Sequence, residues 1–170
     1  VRLTKYLPAT EREQFCEGIW DQLTRQPGGG THPRPRLTMS ADEVRKLHQA
    51  GMTVGGHSHT HPILTRCTPE QAQAEIELNR NILTDILGTR PTVFAYPNGR
   101  AGQDFDITHT RIVADAGYQC AVTTETGICL PAQDALQLPR FTPWAMNTDR
   151  LLMHLFRNAW KGTHPKLVHG

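Results

Sequence analysis

Apolar residues recur in this chain with two alternating periods. Phe15, Ile19 and Leu23 repeat every fourth residue, predicting a helix from Pro8 to about Arg25, with Thr10 and Glu13 as a capping box. Ser40 and Glu43 form a second box, opening a helix that carries Val44 and Leu47 and ends at Gly51. Thr68, Pro69 and Gln71 open a long helix whose core face is Ala72, Ile76, Leu83 and Leu87, with Gly88 at its end. A further helix is expected over 108–116, closed by Gly117, and a last one over 148–160 with Leu151, Leu152, Leu155 and Phe156 inward. Short apolar or β-branched runs predict strands at 52–54, 92–95, 119–124 and 137–141.

Helix and strand therefore alternate through short connections, the pattern of parallel strands buried between helices. This predicts an open α/β sheet or an α/β barrel and excludes an antiparallel sandwich. In either architecture the turns leaving the strand C-terminal ends carry the chemistry, and the predicted strands place His57, Asn98, Thr124 and Arg140 together at that end. The glycine- and proline-rich stretch 26–36 reads as a connection, dividing the chain into an N-terminal helix with linker (1–36), a main domain (37–160) and a tail (161–170).

With 170 residues the chain is long enough for one domain and its core. Eighteen Lys and Arg against 16 Asp and Glu leave a formal charge of +2, dispersed along the chain. That balance argues against a nucleic-acid partner, and no apolar run is long enough for a membrane span. Four cysteines, Cys16, Cys67, Cys120 and Cys129, form no Cys-x-x-Cys pair and read as separate thiols, although Cys120 and Cys129 leave a pairing open. The chain begins at Val1 without a basic, apolar leader, which leaves the compartment of the parent protein open.

The candidate chemistry sits in Gly55-Gly56-His57-Ser58-His59-Thr60-His61-Pro62, where three imidazoles fall within five residues just after a predicted strand. A His-x-x-x-His spacing in one tight turn can bring two ring nitrogens to one cation. The segment Tyr96-Pro97-Asn98-Gly99 has the composition of a plain strand-exit turn.

Residues 50–62, including Gly55-Gly56-His57-Ser58-His59-Thr60-His61-Pro62, resemble the second motif of the polysaccharide deacetylases, the NodB-homology carbohydrate esterases of family four. Val93-Phe94-Ala95-Tyr96-Pro97-Asn98-Gly99 resembles the third motif, and Ala116-Gly117-Tyr118, Ala121-Val122-Thr123-Thr124 and Leu138-Pro139-Arg140-Phe141 follow in the family's order over about residues 38–157. The resemblance implies a distorted or incomplete (β/α) barrel and metal-dependent hydrolysis of N- or O-acetyl groups on a polysaccharide or oligosaccharide. It puts the metal ligands at His57 and His61, with His59 at a variable position and the Ser58 hydroxyl supporting the turn. It puts the oxyanion-binding backbone amide at Asn98. The implied cofactor is a divalent metal, zinc first, with cobalt, nickel or manganese as alternatives. Tyr96 and Trp144 are candidates to stack on a sugar ring, with core packing as the alternative for each.

Two departures qualify the likeness. The family's Thr-Phe-Asp-Asp motif, source of a metal-binding Asp and a base, is missing, and the Asp residues present lack its strand-end setting. Arg140 stands where the family's Leu-x-His motif has its general acid, a position from which it can orient a carboxylate, bind substrate or form a plain salt bridge. Both lead to the expectation that the chain lacks an N-terminal part of the barrel, and that its open sheet edge favours homo-oligomers. A deacetylase-like module that binds metal or glycan without turnover is the alternative.

Overall fold

The computed structural model describes residues 7–25, 38–131, 133–142, 147–161 and 166–169. The expected linker and Trp144 lie outside them. Five helices occur among these residues: α1 (Ala9–Thr24), α2 (Ala41–Gln49), α3 (Pro69–Leu87), α4 (Ile107–Asp115) and α5 (Thr148–Lys161). Strands β1 (Val93–Ala95) and β2 (Cys120–Val122) pair in parallel, with Phe94 opposite Ala121. Single parallel bridges extend this pair on both sides, Gly56 to Phe94 and Val122 to Leu138. Four chain segments thus run side by side in one direction. The sheet does not close into a barrel among the described residues.

Local chemistry explains most boundaries. The Ser40–Glu43 and Thr68–Gln71 boxes form as expected, each pairing a side chain with a backbone amide in both directions. Gly88 ends α3 in the left-handed conformation at φ 72°. Helix α4 is opened by Asp106, whose carboxylate accepts from the Thr108 and His109 amides, while His109 Nδ1 accepts from Asp106 N in return. His109 is buried, and its other ring nitrogen meets Leu64 O at 3.0 Å, tying α4 to the 3₁₀ turn Leu64–Arg66. Arg80 of α3 caps the far end of α4 through Ala116 O and Gly117 O, with its guanidinium 5.3 Å from the Tyr118 ring centroid.

The core lies between the sheet and helices α3 and α4. Its apolar members include Leu64, Ile76, Phe94, Phe105, Val113 and Ala121, with Tyr96 and Phe105 stacked at a centroid separation of 3.9 Å. Gln137 is buried and exchanges hydrogen bonds with the Val168 backbone, so part of the expected tail docks on the domain.

Several expectations need correction. Helix α1 starts before Thr10, at an N-cap Pro8 that makes no side-chain cap, so the Thr10–Glu13 box is not used. The segment 52–54 forms no strand: only Gly56, through Gly56 N to Val93 O and Ala95 N to Gly56 O, joins the ladder. The segment 137–141 contributes a single bridge, because Asp134 caps a 3₁₀ turn at Ala135–Gln137 and Pro139 has no N–H to continue the pairing. Among the described residues nothing covers the apolar faces of α1 and α5. Phe156 and Trp160, stacked on each other, are 65% and 80% exposed, since no described residues cover that side. All four cysteines are free thiols.

Candidate active site

The turn after Gly56 is built by α3. Asn79 Oδ1 accepts from His57 N at 3.0 Å, and one turn of helix earlier Glu75 accepts from His59 N, Thr60 N and Thr60 Oγ1 at 2.7–2.9 Å. Ser58 and His61 both adopt positive φ, 59° and 58°, and the chain folds back so that the His57 and His61 rings meet edge to face at 4.7 Å. The Ser58 hydroxyl is buried without a partner among the described residues. The support expected from Ser58 thus comes from Glu75 and Asn79, which the sequence reading missed. Their signal was an Asx/Glx pair spaced i, i+4 on a helix face directly after the histidine cluster.

His57 Nδ1 lies 2.6 Å from Ala95 O. A carbonyl only accepts, so Nδ1 carries the proton and Nε2 keeps its lone pair for another partner. Desolvation by the surrounding chain lowers the pKa of His57 below the ordinary histidine value; the Ala95 bond opposes this, and His61 and Arg140 add to it. The lowered pKa favours the neutral ring, the form that ligates metal.

The next turn leaves β1. Gly99 N donates back to Pro97 O at 2.7 Å, closing a three-residue turn around Asn98 at φ 60°. Thr124 at the end of β2 clamps it, donating from Oγ1 to Asn98 O at 2.7 Å and from N to Gly99 O at 2.9 Å. The Asn98 N–H has no acceptor among the described residues. Arg140, after Leu138, donates from Nε to Thr123 O at 2.6 Å and from its amide to Glu125 O at 2.9 Å; no carboxylate pairs with it among the described residues. His57, Asn98, Thr124 and Arg140 thus follow parallel segments in the same sense and share one end of the sheet, as expected.

Tyr96 does not fit the sugar-stacking role. It is 0% exposed, pressed between Phe94 and Phe105, and its hydroxyl donates to Leu136 O at 3.0 Å. Burial, with help from Asp134, raises its pKa above the ordinary tyrosine value and keeps that donor protonated. Asp104 is likewise buried, accepting from Arg100 N. The described residues contain no group of three His, Cys, Asp or Glu able to hold a metal. His57 and His61 are nonetheless compatible with two ligands of a divalent cation, because their rings lie 4.7 Å apart and the Ala95 O bond leaves Nε2 of His57 unprotonated.

The arrangement defines an α/β protein whose polar residues sit on the turns leaving a parallel sheet. Within that class the chain belongs to the polysaccharide deacetylase family, whose profile matches residues 22–121. It is 31% identical over 94 residues to the peptidoglycan-N-acetylmuramic acid deacetylase PdaC of Bacillus subtilis, covering 54% of this chain and 19% of PdaC. It is 26% identical over 102 residues to YxkH of the same organism, 60% of this chain and 35% of YxkH. The chain thus spans about a third or less of the curated relatives it matches. The Streptococcus pyogenes deacetylase PplD, solved in complex with acetate, superposes with a TM-score of 0.62 at 27% identity, over 71% of this chain and 52% of PplD. BC0361 of Bacillus cereus, a polysaccharide deacetylase, shares the fold with a TM-score of 0.61 at 18% identity, over 82% of this chain and 47% of its own. Among the described residues no helix is long and apolar enough to cross a membrane.

Proposed function

We propose that this chain carries part of the active site of a metal-dependent deacetylase that hydrolyses N- or O-acetyl groups of a polysaccharide. The observation that carries the reading is the convergence of His57 and His61 at the same sheet end as the unpaired Asn98 amide. A divalent cation, zinc first and otherwise cobalt, nickel or manganese, supplies Lewis acidity and lowers the pKa of a water molecule when bound. His57 presents Nε2 because Ala95 O holds the proton on Nδ1, and His61 supplies the second imidazole. The Asn98 N–H donates to the oxyanion that develops from the acetyl carbonyl, and the turn holding it is closed before substrate arrives. Arg140 is tethered at Nε, leaving its terminal N–H groups to orient a carboxylate or the substrate. The third metal ligand and the base are carboxylates outside the described residues. Trp144 is retained as a sugar-stacking candidate, and PplD's bound acetate is the product expected of this reaction.

The lack of a three-ligand metal group among the described residues favours a second reading for the 170 residues alone, a module that binds metal or glycan without turnover. Acetate release from acetylated chitooligosaccharide separates the two. A form extended upstream to include an Asp-Asp strand should release acetate, and the 170-residue chain should not. An inactive extended form with metal bound would leave the binding module as the function.

A further inference from the structure

Resting on the reading of His57 and His61 as metal ligands, we propose that Glu75 is a positioning residue that sets their convergence without touching the metal. One carboxylate takes three donors from the two residues that separate Ser58 from His61: Oε2 accepts from His59 N at 2.9 Å and Thr60 N at 2.7 Å, and Oε1 accepts from Thr60 Oγ1 at 2.8 Å. The segment these bonds hold needs holding, because Ser58 and His61 both lie in the left-handed region, which side-chain-bearing residues occupy only when their surroundings over-determine it. Glu75 pairs with no Lys or Arg among the described residues, so both of its oxygens are left to accept from this turn. Asn79, one helical turn on, fixes His57 N, and the two α3 residues together grip both ends of the segment. Removing Glu75 frees the His61 side of the turn while Asn79 and Ala95 still hold His57. The rings then lose the 4.7 Å approach on which shared ligation depends.

The test is a zinc titration of the 170-residue chain, followed in the histidine ring ¹H–¹⁵N spectra, for wild type, E75A and E75Q, with amide exchange at His59 and Thr60 as a second readout. In wild type the His57 and His61 rings should respond together. E75A should weaken zinc binding by about tenfold or more, the scale of losing an outer support of a ligand, and strip protection from the two amides. E75Q should stay within about threefold of wild type, because its carbonyl oxygen can take both amides while its NH₂ donates to Thr60 Oγ1. If E75A does not fold, E75D, one methylene too short to reach both amides, replaces it with the same expectation. A responsive wild type matched by E75A overturns the proposal, as does an E75Q as weak as E75A, which would make the effect one of charge alone. A wild type whose His57 and His61 rings ignore zinc overturns the metal reading itself, a distinguishable result.

Discussion

Replacing Gly99 by alanine perturbs the turn that presents the Asn98 amide, and its cost can be worked from the structure. Gly99 sits at φ 75°, where a side-chain-bearing residue loses about 1–2 kcal/mol. A Cβ there falls 2.9 Å from Thr124 N and 3.1 Å from Tyr96 O, both backbone atoms that cannot swing aside. To make room, Thr124 must retreat, which weakens Thr124 N to Gly99 O and Thr124 Oγ1 to Asn98 O, each worth about 1 kcal/mol. The smaller entropy of the unfolded alanine chain returns about 0.4–1 kcal/mol. The expected net loss is about 2–3 kcal/mol. Gly88→Ala is the control: its φ of 72° is similar, but its Cβ meets nothing within 4 Å, so only the backbone cost applies, about 1 kcal/mol. Urea denaturation at pH 7 with matched m-values reads both. If Gly99→Ala falls within about 0.5 kcal/mol of Gly88→Ala, the Thr124 clamp does not hold the turn and the argument fails.

Three further outcomes are expected. Asp106→Ala should cost about 1 kcal/mol as the loss of the α4 N-cap, read by thermal denaturation. Burial raises the Asp106 pKa, but the nearby His109 and the Thr108 and His109 amides outweigh it and hold the carboxyl below the ordinary value. Its contribution is therefore full above the unfolded pKa of about 4 and fades as pH falls through the lower folded value, so wild type and variant should converge only in acid. Tyr96→Phe should cost about 1 kcal/mol through the lost bond to Leu136 O and leave glycan binding unchanged by titration; weakened binding would return Tyr96 to the substrate site. The apolar faces of α1 and α5 and the sheet edges that no described residue covers should make the 170-residue chain self-associate in light scattering, where a monomer at all concentrations would contradict this.

What the sequence revealed and what it hid divide along physical lines. Caps at Ser40 and Thr68 and the stops at Gly51, Gly88 and Gly117 are local chemistry, and each falls where the residues said. The parallel sheet and its shared polar end followed from alternation alone. Strand lengths did not, because a ladder's length depends on its neighbours: among the described residues 52–54 pairs with no strand and only Gly56 bridges to Phe94, and Pro139 interrupts 137–141. The open faces of α1 and α5 were unreadable for the same reason, since periodicity marks an apolar side without naming its cover. In the candidate site, the close approach of the His57 and His61 rings follows from their spacing in one turn, whereas the grip of Glu75 and Asn79 spans 15–22 residues and needed the packing of α3. Tyr96 was misread toward the substrate because a strand-end aromatic has the same sequence signature whether it faces a groove or Phe105.

The central claim is that His57 and His61, and not His59, are the pair that takes a metal. Zinc titration calorimetry on the 170-residue chain and its three single alanine variants tests it directly. Two neutral imidazoles without a carboxylate should bind zinc weakly, and His57→Ala and His61→Ala should each abolish that binding. His59→Ala should stay within about threefold of wild type, because His59 meets Glu75 through its backbone amide and not its ring. A His59→Ala variant as damaged as His61→Ala would contradict the claim and shift the ligand pair to a spacing of two.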